Sequence, residues 1–165
     1  MDLPNAMEKL GYKNLNEMQT KVAREGLFES DRAMLSSPTA SGKTLVSLLW
    51  MLNHFERSKK TLYVVPLRAL ASEKHAEFTK KLAVFEMKVG ISTGELDSDS
   101  HNLDDFDVII LTSEKLDSIL THNSKWISQI TSVVFDECHL IGDDQRGATL
   151  EVVMTKLHLA KKKLL

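Results

Sequence analysis

The residues Ser37-Pro38-Thr39-Ala40-Ser41-Gly42-Lys43-Thr44 constrain this chain more than any other stretch. They follow a short apolar run, residues 33–35, and precede a segment in which Leu45, Leu48, Leu49 and Leu52 recur at i, i+3, i+4 and i+7. The run reads as a strand and the segment as a helix with one buried face. Such a junction puts consecutive backbone N–H groups and the positive end of the helix dipole at one point, which suits a phosphate. Gly42 removes a Cβ where backbone and phosphate approach closely. Lys43 offers a point charge for β and γ oxygens, and Thr44 a hydroxyl for Mg²⁺.

The rest of the chain is compatible with a single domain built around that loop. Its 165 residues are one domain's length, and a chain this long buries roughly 68–70% of its unfolded surface without needing staples. The single cysteine, Cys138, excludes an internal disulfide framework and suits a reducing compartment. The N-terminus has no basic stretch followed by an apolar one, so no secretory signal is read there. No apolar run approaches the ~20 residues of a membrane span. The expectation is therefore an intracellular protein, cytoplasmic or nuclear. A net charge of −2 argues against a globally basic nucleic-acid binder and leaves room for a local patch. Lys161-Lys162-Lys163 reads as a solvated chain end, and Cys138 as a small buried hydrophobe.

Strand-like runs at 33–35, 62–65, 88–91, 108–111 and 133–135 alternate with helical patterns at 44–57, 69–83, 114–120 and 149–159. The runs are nearly continuous Val, Ile and Leu, as strands covered on both faces are. The alternation predicts an α/β fold: a mostly parallel central sheet with helices on both faces and right-handed crossovers. Ligands of such a sheet bind beyond the carboxyl ends of its strands.

One of those ends carries two acids, in Val133-Val134-Phe135-Asp136-Glu137-Cys138-His139. Adjacent strand residues face opposite ways, so the pair can divide its labour. Asp136 would hold Mg²⁺, through water, and Glu137 would orient and deprotonate an attacking water. Read without the loop, the same acids are two solvated residues after a core strand. No pair of histidines has the spacing of a zinc site.

Asp136-Glu137-Cys138-His139 resembles the DExH box of superfamily II helicases, and the whole chain resembles the first RecA-like lobe of one, a P-loop NTPase domain. Ser37, where the general loop pattern has Gly, is accepted in the helicase version. The resemblance implies ATP and Mg²⁺ as cofactors. It assigns Lys43, Asp136 and Glu137 to catalysis, Thr44 and Asp136 to the metal, and Ser37 through Thr44 to the nucleotide. Gln19 matches the adenine-reading glutamine, whose amide can both donate and accept. His139 is placed where the ATP site is coupled to other motifs.

Three further strand ends match motifs that grip a nucleic-acid backbone: Arg68 after Val65-Pro66-Leu67, Thr93-Gly94 after Ser92, and Thr112-Ser113 before Glu114. Hydroxyls and N–H groups at helix starts bind phosphate without reading sequence. Thr112 and Ser113 are equally good helix N-caps, Pro66 a plain strand stop and Gly94 a plain turn. Gln145-Arg146-Gly147-Ala148-Thr149-Leu150-Glu151 resembles the segment found after the box in the Ski group, and Asp117 and Thr93-Gly94-Glu95 resemble the archaeal DNA-repair branch. The implied partner is single-stranded nucleic acid, DNA favoured over RNA.

The resemblance runs from Gln19 to about Leu157. No Ser-Ala-Thr tripeptide follows, so the expectation is a fragment, residues 1–165, that lacks the second RecA-like lobe and its arginine finger. Such a lobe alone is expected to bind nucleotide weakly and hydrolyse it slowly. Alternative readings are a double-strand translocase or remodelling ATPase using the same lobe, and a catalytically inert nucleotide-binding scaffold.

Overall fold

The structure is a computed structural model describing residues 2–94, 103–122, 125–144 and 147–165. Glu95, Gln145 and Arg146 lie outside the described residues. Helices α1 (Leu3–Lys9), α2 (Glu17–Arg24) and α3 (Lys43–His54) come first. Then follow β1 (Lys60–Val65), α4 (Arg68–Leu82), β2 (Val89–Ser92), β3 (Val108–Thr112), α5 (Ser113–His122), α6 (Lys125–Gln129), β4 (Ile130–Phe135), α7 (Gly147–Leu159) and β5 (Lys163–Leu164). The sheet order is β2-β3-β1-β4-β5, and every pairing is parallel.

Side-chain alternation along β1 divides the core in two. Tyr63 and Val65 join Leu48, Leu49 and Trp50 of α3 and Phe78 and Leu82 of α4 on one face. Leu62 and Val64 join Leu116 and Leu120 of α5 and Val153 and Leu157 of α7 on the other. All six residues of β1 are buried, which is why its sequence lacks polar alternation. Even Lys60 is buried, its ammonium donating to the carbonyls of Leu103, Asp104 and Phe106 at 2.8, 3.0 and 3.2 Å. Burial lowers its pKa, against the pull of the Asp104, Asp107 and Asp105 charges.

Two expectations need correction. Residues 33–35 are not a strand. The segment makes one isolated parallel bridge, Arg32 with Leu164, fastened by Leu164 N–H to Asp31 O at 2.9 Å and Ala33 N–H to Leu164 O at 3.0 Å. Among the described residues its one ladder partner is β5, two residues long, so pairing ends before Leu35. The basic run is not simply a solvated end either. Lys163 lies in β5 with its ammonium 3.6 Å from the Asp31 carboxylate, and Lys162 is half-buried, which lowers its pKa.

Candidate nucleotide cleft and nucleic-acid groove

The loop from Ser37 leads into α3 through two residues with left-handed backbone, Ala40 (φ 60°) and Gly42 (φ 90°). Left-handed residues within a turn rotate successive N–H groups toward one side, forming a concavity that accepts anions. No side chain caps α3, whose N-cap is Gly42. The back of the loop is braced by α2. Gln19 Nε2 donates to Gly42 O at 3.1 Å and Asn16 Nδ2 to Ser41 O at 2.9 Å. Gln19 Oε1 and Asn16 Oδ1 each accept the other residue's backbone N–H, a capping box at the start of α2. A Cβ at Gly42 would run into Gln19 Nε2. Across the front, Ser37 and Ser41 hydroxyls bond at 2.7 Å, and Lys43 Nζ donates to Ser37 O at 3.0 Å. Pro38, Thr39 and Ala40 form the exposed crown of the loop.

The carboxylates arrive from β4. Asp136 N–H donates to Val64 O at 2.8 Å, which extends the sheet's bonding by one residue. Its carboxylate accepts from Tyr63 OH at 2.9 Å and from Glu137 N–H at 3.1 Å. Burial, then the Asp136 charge, push the Tyr63 phenol far above its ordinary pKa, so it remains a donor. Glu137 does not continue the strand. It takes a left-handed conformation (φ 57°, ψ 39°), which costs a non-glycine residue roughly 1–2 kcal/mol. Strand alternation therefore does not separate the two acids. Both line one cleft of about 460 Å³ together with Ser37, Lys43, Ser47, Cys138 and His139. Glu137 Oε2 lies 3.1 Å from Nδ1 of the largely exposed His139. Cys138 is half-buried on the cleft wall rather than fully enclosed.

A second groove, about 620 Å³, opens beyond the ends of β1, β2 and β3. Arg68, Thr93, Gly94 and Thr112 line it with Pro66, Glu114, Lys115 and Ser118. Arg68 is exposed at the first position of α4. Thr112 Oγ1 accepts the Lys115 N–H at 3.4 Å, the capping geometry its position allowed. Ser113 does not line this groove. It is buried and faces a crevice of about 10 Å³, one water's volume, bounded also by Pro66, Asp136 and Glu137. The sequence reading missed Lys115, whose ammonium donates to Gly94 O at 2.8 Å inside the groove. Its spacing of three from a capping Thr112 was the available signal. It also missed Tyr63, hidden in an apolar strand.

The parallel sheet, its helices on both faces and the loop opening α3 define the α/β, RecA-like class of phosphate-loop domains. The chain belongs to the DEAD/DEAH box helicase family, which it matches over residues 16–165. It is 46% identical over 160 residues to the ATP-dependent DNA helicase Hel308 of Methanococcus vannielii, covering 93% of this chain and 21% of that protein. It is 41% identical over 164 residues to the Hel308 of Thermococcus kodakarensis, covering 99% of this chain and 14% of that one. For the Hel308 of Methanocaldococcus jannaschii the identity is 40% over 158 residues, with 92% and 13% covered. The chain thus spans about a fifth or less of the length of these relatives. Among solved structures, the Mycobacterium smegmatis helicase Lhr, bound to ssDNA and AMP-PNP, shares the fold with a TM-score of 0.80. Its identity is 24%, over 99% of this chain and 24% of that one.

Proposed function

We propose that the chain is the ATP-binding motor lobe of an ATP-dependent nucleic-acid helicase working on DNA. In it, hydrolysis drives translocation along one strand and unwinding. The observation that carries this reading is the single cleft holding Lys43, Asp136 and Glu137 at the mouth of the α3 loop. The residues suit Mg²⁺-ATP. Glycine opens the cradle, an uncapped helix start faces it, and a hydroxyl and a carboxylate are of the hard-oxygen type that Mg²⁺ takes alongside phosphates. Bound there, Mg²⁺-ATP supplies a phosphoryl group whose charge is neutralised by the metal.

Each side chain then has a task. Loop N–H groups and the Lys43 ammonium bind the phosphates, with Lys43 exchanging its bond to Ser37 O for them. Thr44 and Asp136 would hold the metal, Asp136 through water, and Tyr63 fixes the rotation of the Asp136 carboxylate. Glu137 takes a proton from water at its carboxylate, and His139 orients that carboxylate through Nδ1. Gln19 is buried behind the loop, with its amide bonded to Gly42 O and the Asn16 N–H; reading an adenine edge would fall to the second N–H and second lone pair of that amide. In the second groove Arg68, Thr93, Gly94, Thr112 and Lys115 hold backbone phosphates, while Ser113 sits between the two sites. A second RecA-like lobe in the same polypeptide would close over the cleft. Among the described residues no helix is long and apolar enough to cross a membrane; an intracellular setting is part of the proposal.

The test is a titration with fluorescent ATP in the presence of Mg²⁺. The chain is expected to bind at micromolar to millimolar nucleotide, and Lys43→Ala to weaken binding about tenfold or more, the effect of losing ~1.4 kcal/mol of phosphate contact. Failure to bind at millimolar nucleotide, or an unaffected Lys43→Ala variant, rejects the reading. The nucleic-acid half is checked with single-stranded DNA and RNA of one sequence across a salt series. Arg68→Ala and Lys115→Ala should each reduce the salt slope by roughly one, and DNA should bind more tightly than RNA. Slopes unchanged in both variants place the strand elsewhere.

A further inference from the structure

Lys74 was not singled out by any sequence pattern, yet it reaches the hydroxyl assigned to the metal. It projects from α4 with its side chain 12% exposed, and its ammonium donates to Thr44 Oγ1 at 3.0 Å. The same ammonium bonds Glu77 Oε2 at 3.2 Å, while Glu77 Oε1 takes Lys81 Nζ at 2.8 Å. Lys81 in turn donates to Tyr12 OH at 2.9 Å. The order Thr44–Lys74–Glu77–Lys81–Tyr12 is a continuous polar run along α4, from the phosphate loop to the turn before α2. Burial raises the Glu77 pKa, but the hydrogen bonds from Lys81 and Lys74 outweigh it and hold the carboxyl below its ordinary range. Glu77 is thus an anionic anchor for Lys74 at neutral pH.

We propose that Lys74 is a positioning residue of the nucleotide cleft: it shares the Thr44 hydroxyl with the divalent cation of a bound nucleotide and so sets how strongly binding depends on Mg²⁺. The inference rests on the function proposed above. A hydroxyl oxygen has two lone pairs, and one accepts the Lys74 N–H. The other lone pair would be open to a Mg²⁺ ion, which takes hard oxygen ligands of this kind. The ammonium, on a side chain only 12% exposed, and the metal would then lie close together, and like charges at such a distance oppose one another. Without metal, the same ammonium is a cation beside the polyphosphate and favours it. Lys74 therefore raises nucleotide affinity in chelator and lowers it in Mg²⁺. Glu77 governs the balance by drawing the ammonium away from Thr44.

The experiment measures the dissociation constant of fluorescent ADP for the chain in excess EDTA and in Mg²⁺, and takes the ratio of the two. Lys74→Met, which keeps length and removes charge, is expected to raise that ratio by about tenfold, equivalent to ~1.4 kcal/mol. Lys74→Arg should stay within about twofold of the parent ratio. In a Thr44→Val background the gain in Mg²⁺ affinity caused by Lys74→Met should vanish, because the shared oxygen is gone, while its loss of affinity in EDTA should remain. A lysine that merely braced α4 would shift the melting temperature and leave the ratio untouched. An unchanged ratio in Lys74→Met, with Lys43→Ala still losing nucleotide, overturns this inference and spares the broader one. A parent chain that binds no nucleotide in either buffer overturns both.

Discussion

Gly42→Ala is expected to abolish measurable nucleotide binding while the chain remains folded. Two independent constraints meet at this position. Its φ of 90° lies where an L-residue pays roughly 1–2 kcal/mol. A Cβ there would also strike Gln19 Nε2, on a side chain only 5% exposed that both caps α2 and bonds Gly42 O. Gln19 must then withdraw, losing a net ~0.5–1.5 kcal/mol of hydrogen bonding. The loop loses its brace and the N–H groups their common direction. The measurement is nucleotide affinity beside a denaturation curve: a loss of about 100-fold or more in affinity with ~2–3 kcal/mol of destabilisation. Gly11→Ala is the control. Its φ is 81° with nothing within 4 Å of the added carbon, so it tests backbone strain alone and should spare binding. Near-parental affinity in Gly42→Ala removes the loop from the nucleotide site.

The second large effect is on stability. Trp50 is fully buried in the middle of α3, donates from Nε1 to Ser30 O at 2.9 Å, and stacks at a tilt on His54 with centroids 4.5 Å apart. His54 also bonds Ser30 O, at 3.1 Å, and its burial, with the Lys163 charge adding to it, holds its pKa below the ordinary value. Trp50→Ala leaves a large void against the sheet and should cost about 3–5 kcal/mol in urea unfolding. Trp50→Phe fills most of that space and loses chiefly the bond to Ser30 O, so ~1–2 kcal/mol is expected. Equal losses in the two variants would mean that the hydrogen bond, and not packing, dominates at this site.

The two substitutions also mark what could and could not be read without coordinates. Leucine spacing after Thr44 located α3, and unbroken Val/Ile/Leu runs located β1, β3 and β4, because a face buried on both sides leaves a local pattern. Residues 33–35 had the same apolar look but no strand, since a strand also needs a partner and β5 offers two residues. The loop, the acids and Arg68 were recognisable as motifs. Their supports were not. Tyr63 under Asp136, Lys74 on Thr44 and Lys115 on Gly94 join groups far apart in sequence, and each residue type is common in its local setting. Ser113 shows the reverse case: adjacent to Thr112 in sequence, it is turned by the start of α5 into a different crevice.

The strand order carries a kinetic consequence. β1 lies at the centre of the sheet, yet both its neighbours come much later in the chain: Leu62 opposes Ile109 on one side and Val133 on the other. A long stretch must close into a loop before the central ladder gains anything, and closure entropy is lost ahead of the contacts that offset it. During synthesis, the apolar edges of β1 emerge well before β4 exists to cover one of them. Refolding should therefore be slow compared with a helical bundle of equal length, and the interval before β4 docks is when this chain is most exposed to self-association.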